Sequence, residues 1–271
     1  MRAPLSSDLN PEEVLPCNAP AVNTLAARAR TGILPEPGLP LVIWPFHRRR
    51  PSLLPALAAR LQNIALSPVR EQTLDDSWVV VDVETGGLNP RVDPLLAIGA
   101  IKVASNVIAM APACEVRLRQ IEATSTDNIL VHGITTGQQL NGLEPALALL
   151  DWLEYAGGQP RLAYHAAFDR LALERASQAW LGLKDSAIWL DLAVLAPLLV
   201  PQGPGFNRSL DDWLAYFRIP VYQRHGALAD AYATAQLWLA LLPAARAQKL
   251  THLKQLIRLC RQARWLNTHQ A

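Results

Sequence analysis

The chain has 271 residues, 51% hydrophobic and 18% charged, with a formal net charge of +2 at pH 7. This balance excludes disorder throughout and provides for one sizeable core plus an appendage. The small net charge excludes a whole-protein field as the source of any nucleic-acid affinity, which would have to come from local basic patches.

Residues 1–75 hold a large share of the 21 prolines and form an N-terminal extension in this reading. Two helical patterns, "VNTLAARAR" and "SLLPALAARLQNIAL", interrupt it. The apolar run "LPLVIWPF" is short and broken by prolines, and the N-terminus lacks the layout of a signal peptide, so no membrane attachment is expected. Cys17, Cys114 and Cys260 form no CxxC pair, which argues against a zinc site and fits a reducing, cytoplasmic setting.

From Ser77 the texture changes. "SWVVVDVET", "PLLAIGAIKV" and "NVIAMAPACEVRL" predict three strands of an antiparallel meander, the first pair separated by a "GGLNP" turn. "ALALLDWLEYA" has helical spacing, "RLAYHA" is strand-like, and "FDRLALERASQAWL" is helical again, which makes the region α/β with a mixed sheet. Ser209 is placed to cap the helix in "SLDDWLAYF", and the longest helix begins at "GALADAYATAQLWLALL". The last segment, "KLTHLKQLIRLCRQARWL", is amphipathic, with Lys254, Arg258 and Arg261 on its basic face. The expected organisation is an extension at 1–75, an α/β domain at 76–245 and a basic helix at 246–271.

Successive strand residues point to opposite faces, so Asp82 and Glu84 share one face while Val81 and Val83 occupy the other. Taken alone, such a pair fits a solvated strand end. Two carboxylates held together in a partly apolar place need a compensating cation, and hard oxygen ligands favour magnesium or manganese over zinc. Asp169, just after a predicted strand, and Asp230, in the first turns of a predicted helix, could complete a site around two ions. His225, at the junction leading into that helix, carries an imidazole that can face the same cleft and is the candidate general base.

Three ordered stretches, "VVVDVETGGLNP", "YHAAFD" and "HGALAD", resemble the motifs of the DnaQ-like, or DEDDh, 3'-5' exonucleases, the family of the DNA polymerase III epsilon subunit and ribonuclease T. The resemblance implies a ribonuclease H-like mixed β-sheet flanked by helices, with Asp82, Glu84, Asp169 and Asp230 as metal ligands for two Mg²⁺ or Mn²⁺ ions and His225 as the signature histidine. It also aligns Thr85 and Gly86 with the place of the 3'-terminal nucleotide, and "VHGIT" with a segment of the substrate cleft, so His132 and Ile134 join the substrate-side candidates, as does Phe168 of "YHAAFD". Ala166 stands where many members carry Asn.

The implied activity is metal-dependent removal of nucleoside 5'-monophosphates from single-stranded 3' ends of DNA, of a proofreading or repair kind, possible in association with a DNA polymerase. The competing readings are RNA 3'-end trimming of the ribonuclease T or oligoribonuclease kind, a non-catalytic nucleic-acid-binding module, and a structural α/β protein. His165, beside an apolar strand, is expected to be a core histidine rather than a catalytic one. "FHRRRP" and the basic face of the last helix are expected to be solvated charge. Trp152, Trp213 and Trp238 are expected in the core, with Trp44 and Trp265 unassigned.

Overall fold

The computed structural model describes residues 53–221 and 224–269. The helical pattern "VNTLAARAR", the run "LPLVIWPF", the basic cluster "FHRRRP" and Trp44 lie outside the described residues, as does the side chain of Trp265.

Five strands form one sheet in the order β3-β2-β1-β4-β5. They are β1 (Trp78–Thr85), β2 (Leu95–Ala104), β3 (Val107–Arg117), β4 (Arg161–Ala163) and β5 (Trp189–Asp191). The expected meander is present: β1, β2 and β3 pair antiparallel in sequence, whereas β4 joins β1, and β5 joins β4, in parallel. A parallel partner requires a crossover, which the chain makes through helix α4 (Pro145–Ala156), after α1 (Pro55–Gln62), α2 (Thr126–His132) and α3 (Thr136–Leu140).

The central position of β1 explains its composition. It is covered on both faces, so its first four residues, Trp78 to Val81, are fully buried, in the near-continuous apolar run that a two-sided core selects. Val79, Val81 and Val83 pack toward α4 and α5 (Ala166–Leu181). Trp78 and Val80 pack the other way, with residues of α6 (Leu192–Leu199), α7 (Leu210–Tyr216), α8 (Ala227–Ala247) and α9 (Leu253–His269). Trp152, Trp213 and Trp238 are all fully buried, as their helical spacing predicts, and Trp238 of α8 meets Trp78 at a ring separation of 5.2 Å.

Helix boundaries follow local chemistry. Ser209 caps α7 in a reciprocal capping box with Asp212, satisfying backbone donors that the first turn leaves open. Helix α8 is the longest of the described helices at 21 residues and begins at Gly226 without a side-chain cap. The segments on either side of the sheet domain also pack on it: Arg60 of α1 pairs with Asp151 and Glu154 of α4, and Thr73 bridges to His252 ahead of α9. Among the described residues, no helix is long and apolar enough to cross a membrane.

Candidate active site

The alternation that buries Trp78 and Val80 carries Asp82 and Glu84 out on the same face of β1, toward α8. Their partners across the antiparallel pair with β2 are Gly99 and Ala97, two small residues. A Cβ on Gly99 would lie 2.1 Å from the backbone at Ala227 and Leu228. The missing side chain therefore lets the start of α8 press onto the sheet opposite Asp82, and Asp230, in the first turn of α8, arrives beside the β1 acids. Carboxylate oxygens of Asp82, Glu84 and Asp230 all lie within 4.8 Å of one another, a spacing at which one cation could be shared by all three.

Asp169 enters from the other side. Strand β4 ends at Ala163 and pairs with β1 only at Val79 and Val80, so the β1 backbone beyond that point has no strand partner on this side. Asp169, in the first turn of α5, fills part of the gap: its Oδ1 accepts the Val83 N–H at 3.1 Å, and the residue is buried. It is not one of the three mutually adjacent acids. His165, at the N-cap of α5, is exposed with φ of +63°, which corrects the expectation of a core histidine: the chain turns in a left-handed conformation there rather than continuing the strand. Ala166 is buried at the first helical position.

Asp82, Glu84 and Asp169 resist ionisation. Burial, followed by repulsion from Asp169, Asp230 and Glu84, holds Asp82 well above the usual carboxylate range. Burial and then Asp230 push Glu84 up to about 7. Asp169 is raised to about 8 by burial, against the lowering effect of the backbone hydrogen bonds it accepts.

One cationic side chain joins the cluster. Arg224 donates from Nε to Asp230 Oδ1 at 2.7 Å and from Nη1 to the carboxylate of Asp211 on α7. The next residue, His225, has φ of +63° and donates its backbone N–H to Asp230 Oδ2 at 3.2 Å. Its exposed side chain lines a cavity of about 460 Å³ together with His132, Ile134 and Arg224. His132 accepts the Ile134 N–H at Nδ1, 3.0 Å, so its proton sits on Nε2, which is buried and has no partner among the described residues.

The other substrate-side candidates divide. Thr85 and Gly86 end β1 in a tightly held loop: Thr85 donates its hydroxyl to Gly87 O at 2.6 Å, Gly86 donates its N–H to Pro94 O at 2.8 Å, and Asn128 of α2 donates to Gly86 O. Phe168 is half-buried against the core between the sheet and α4–α5. Arg224, Asp211, Asn128 and Gly99 were not singled out by sequence reasoning; the arginine directly before His225 in "RHGALAD" was the available signal.

A mixed sheet with acids at the end of its central strand, met by a further acid from a helix packed across it, is the architecture of an exonuclease domain. The family model described as Exonuclease, of the RNase T type, matches residues 79–238, more than half of the chain, and the protein belongs to that family. A DNA polymerase III subunit epsilon-like protein of Rhodobacter capsulatus is 31% identical over 192 residues, covering 68% of this chain and 26% of the relative. The PolC-type DNA polymerase III of Thermotoga maritima is 27% identical over 206 residues, covering 72% of this chain and 14% of the relative. The chain thus corresponds to about a quarter or less of the length of these relatives. Among solved structures, E. coli Exonuclease I in complex with a dT13 oligonucleotide shares the fold at a TM-score of 0.54 and 18% identity, over 64% of this chain and 42% of that one.

Proposed function

We propose that the protein is a 3'-5' exonuclease that hydrolyses phosphodiester bonds of DNA, releasing nucleoside 5'-monophosphates. The observation that carries this reading is the convergence of Asp82, Glu84 and Asp230 beside His225 at the end of the central strand of an exonuclease-family domain.

The donor set fits a hard divalent cation: three oxygen ligands within reach of one another, raised pKa values that a cation would reverse, and an arginine already drawn in by the charge. Asp82, Glu84 and Asp230 would hold Mg²⁺ or Mn²⁺, and Asp169, which shares the charge of the site while capping the β1 backbone, would complete a two-ion arrangement. When bound, such ions supply charge neutralisation at the phosphate and the leaving oxygen.

The chain's own groups do the rest. His225, exposed on the cavity wall, takes the proton of the attacking water as its oxygen bonds to phosphorus and the bond to the 3'-oxygen breaks. Asp230 orients it by holding the His225 backbone N–H, which fixes the left-handed turn from which the imidazole projects. Thr85 and Gly86, in their braced loop, His132 and Ile134, on the cavity wall, and the half-buried Phe168 are the proposed contacts to the terminal nucleotide.

DNA is favoured over RNA as substrate because the matched relatives are named as DNA polymerase III proteins and the Exonuclease I neighbour carries a DNA oligonucleotide. The polymerase names also support association with a DNA polymerase. The test is digestion of 5'-labelled single-stranded DNA and RNA with Mg²⁺, with Mn²⁺ and with EDTA, beside an Asp230→Ala control. A metal-dependent ladder shortening from the 3' end of DNA, absent in the control, is expected. A ladder on RNA alone would transfer the reading to RNA trimming, and binding without cleavage would leave a non-catalytic module.

A further inference from the structure

Both oxygens of Asp230 are already engaged. Oδ2 accepts the backbone N–H of His225, and Oδ1 accepts Arg224 Nε at 2.7 Å. A divalent ion coordinated by Asp230 would therefore meet the guanidinium at the same carboxylate, and two cations on one carboxylate repel. The arginine is not held by Asp230 alone. Its Nη1 reaches Asp211, at the first turn of α7, outside the three-acid cluster. The two ends of the pair differ in setting: the Arg224 side chain is 22% exposed and that of Asp230 10%, whereas that of Asp211 is 62% exposed.

We propose that Arg224 is a resident counter-cation, occupying the carboxylate of Asp230 in the metal-free protein and passing to Asp211 alone when a divalent ion enters. The inference rests on the metal-site reading above and adds to it a cost and a direction. Without metal, Arg224 pairs directly with Asp230 and Asp211, and its positive charge at the edge of the three-acid cluster offsets the repulsion among the acids. With metal, the same role passes to the ion, and the Arg224–Asp230 pair must break. Metal affinity is lowered by whatever that pair contributes. Asp211 reduces the loss, because the displaced guanidinium keeps a partner at the surface.

The experiment is a Mn²⁺ titration of the full chain, followed by calorimetry and by electron paramagnetic resonance without nucleic acid, together with melting curves in EDTA and in saturating Mn²⁺. Arg224→Ala is expected to bind its first Mn²⁺ about tenfold tighter than the natural protein. Its melting temperature should fall in EDTA and return to the natural value in Mn²⁺, a split that a merely structural arginine would not produce. Asp211→Asn should shift affinity the other way, weakening Mn²⁺ binding about threefold, since the released arginine has nowhere to go.

Equal or weaker Mn²⁺ binding by Arg224→Ala, or the same loss of melting temperature with and without metal, overturns the proposal. Should Arg224→Ala fail to fold in either condition, Asp211→Asn decides alone, and unchanged affinity there overturns it. If neither the natural protein nor any variant binds Mn²⁺, the metal-site reading and this inference fall together; if the natural protein binds and Arg224→Ala binds no tighter, only the inference falls.

Discussion

Helix α8 meets one face of β1 twice, and the two meetings have opposite characters. At the start of the strand, Trp78 and Val80 pack against Trp238 and its neighbours in a dry, fully buried cluster. Two residues further on, the same face of the same strand presents Asp82 and Glu84 to Asp230. The first meeting stabilises the fold by burying large apolar side chains. The second costs stability, because burial and repulsion from neighbouring carboxylates hold Asp82 and Glu84 above their ordinary pKa values. One strand and one helix thus divide structure from chemistry along their length, and the apolar half fixes the distance at which the acidic half must meet.

The largest effect should come from breaking the apolar half. Trp238→Ala empties a fully buried indole site and is expected to cost about 3–5 kcal/mol of stability, read as a lower midpoint in urea denaturation. Gly99→Ala attacks the joint between the halves. Its Cβ cannot fit against the α8 backbone, so the helix must move, with an expected stability loss of about 1–3 kcal/mol and a loss of turnover out of proportion to it, because Asp230 and His225 move with the helix. Single-turnover digestion of a labelled oligonucleotide alongside the denaturation curve checks both parts.

His225→Ala should leave stability nearly unchanged and lower turnover about 10²- to 10⁴-fold, with Mn²⁺ binding retained. A turnover equal to that of the natural protein across the pH range would remove the imidazole from the reaction.

A further expected effect is one of pH. Glu84 at about 7 and Asp169 at about 8 bind protons in the folded, metal-free protein that the unfolded chain has already released. The folded state then holds more protons than the unfolded one between the ordinary carboxylate pKa, about 4, and about 8, so stability in EDTA should fall as pH rises through that window. Melting curves in EDTA at pH 5, 6, 7 and 8 should show this decline, and saturating Mg²⁺ should flatten it.

Much of the apolar half and the identity of the acids were legible in the sequence. The period-2 alternation of β1 set Asp82 and Glu84 on one face, Ser209 announced the start of α7, and Trp152, Trp213 and Trp238 stood at helical spacing and are buried. What was not legible depends on register and approach between distant segments. Nothing local marks Gly99 as the partner of Asp82 or shows that a helix begins on top of it. Nothing local shows that β4 is only three residues long, which leaves Val83 N–H to be capped by Asp169 and lets His165 turn outward. The run "LDLAVLAPLLV" has no periodicity because α6 is buried on several sides, and Arg224 acquires its meaning only when α7 brings Asp211 to its other end.

The most direct test of the division along β1 is Asp82→Asn, measured for melting temperature in EDTA at pH 8 and for oligonucleotide turnover in Mg²⁺. The account predicts a protein more stable than the natural one and inactive, since the substitution removes one repelling charge from a buried cluster built to receive a cation. A less stable protein that still shortens DNA from its 3' end would contradict it.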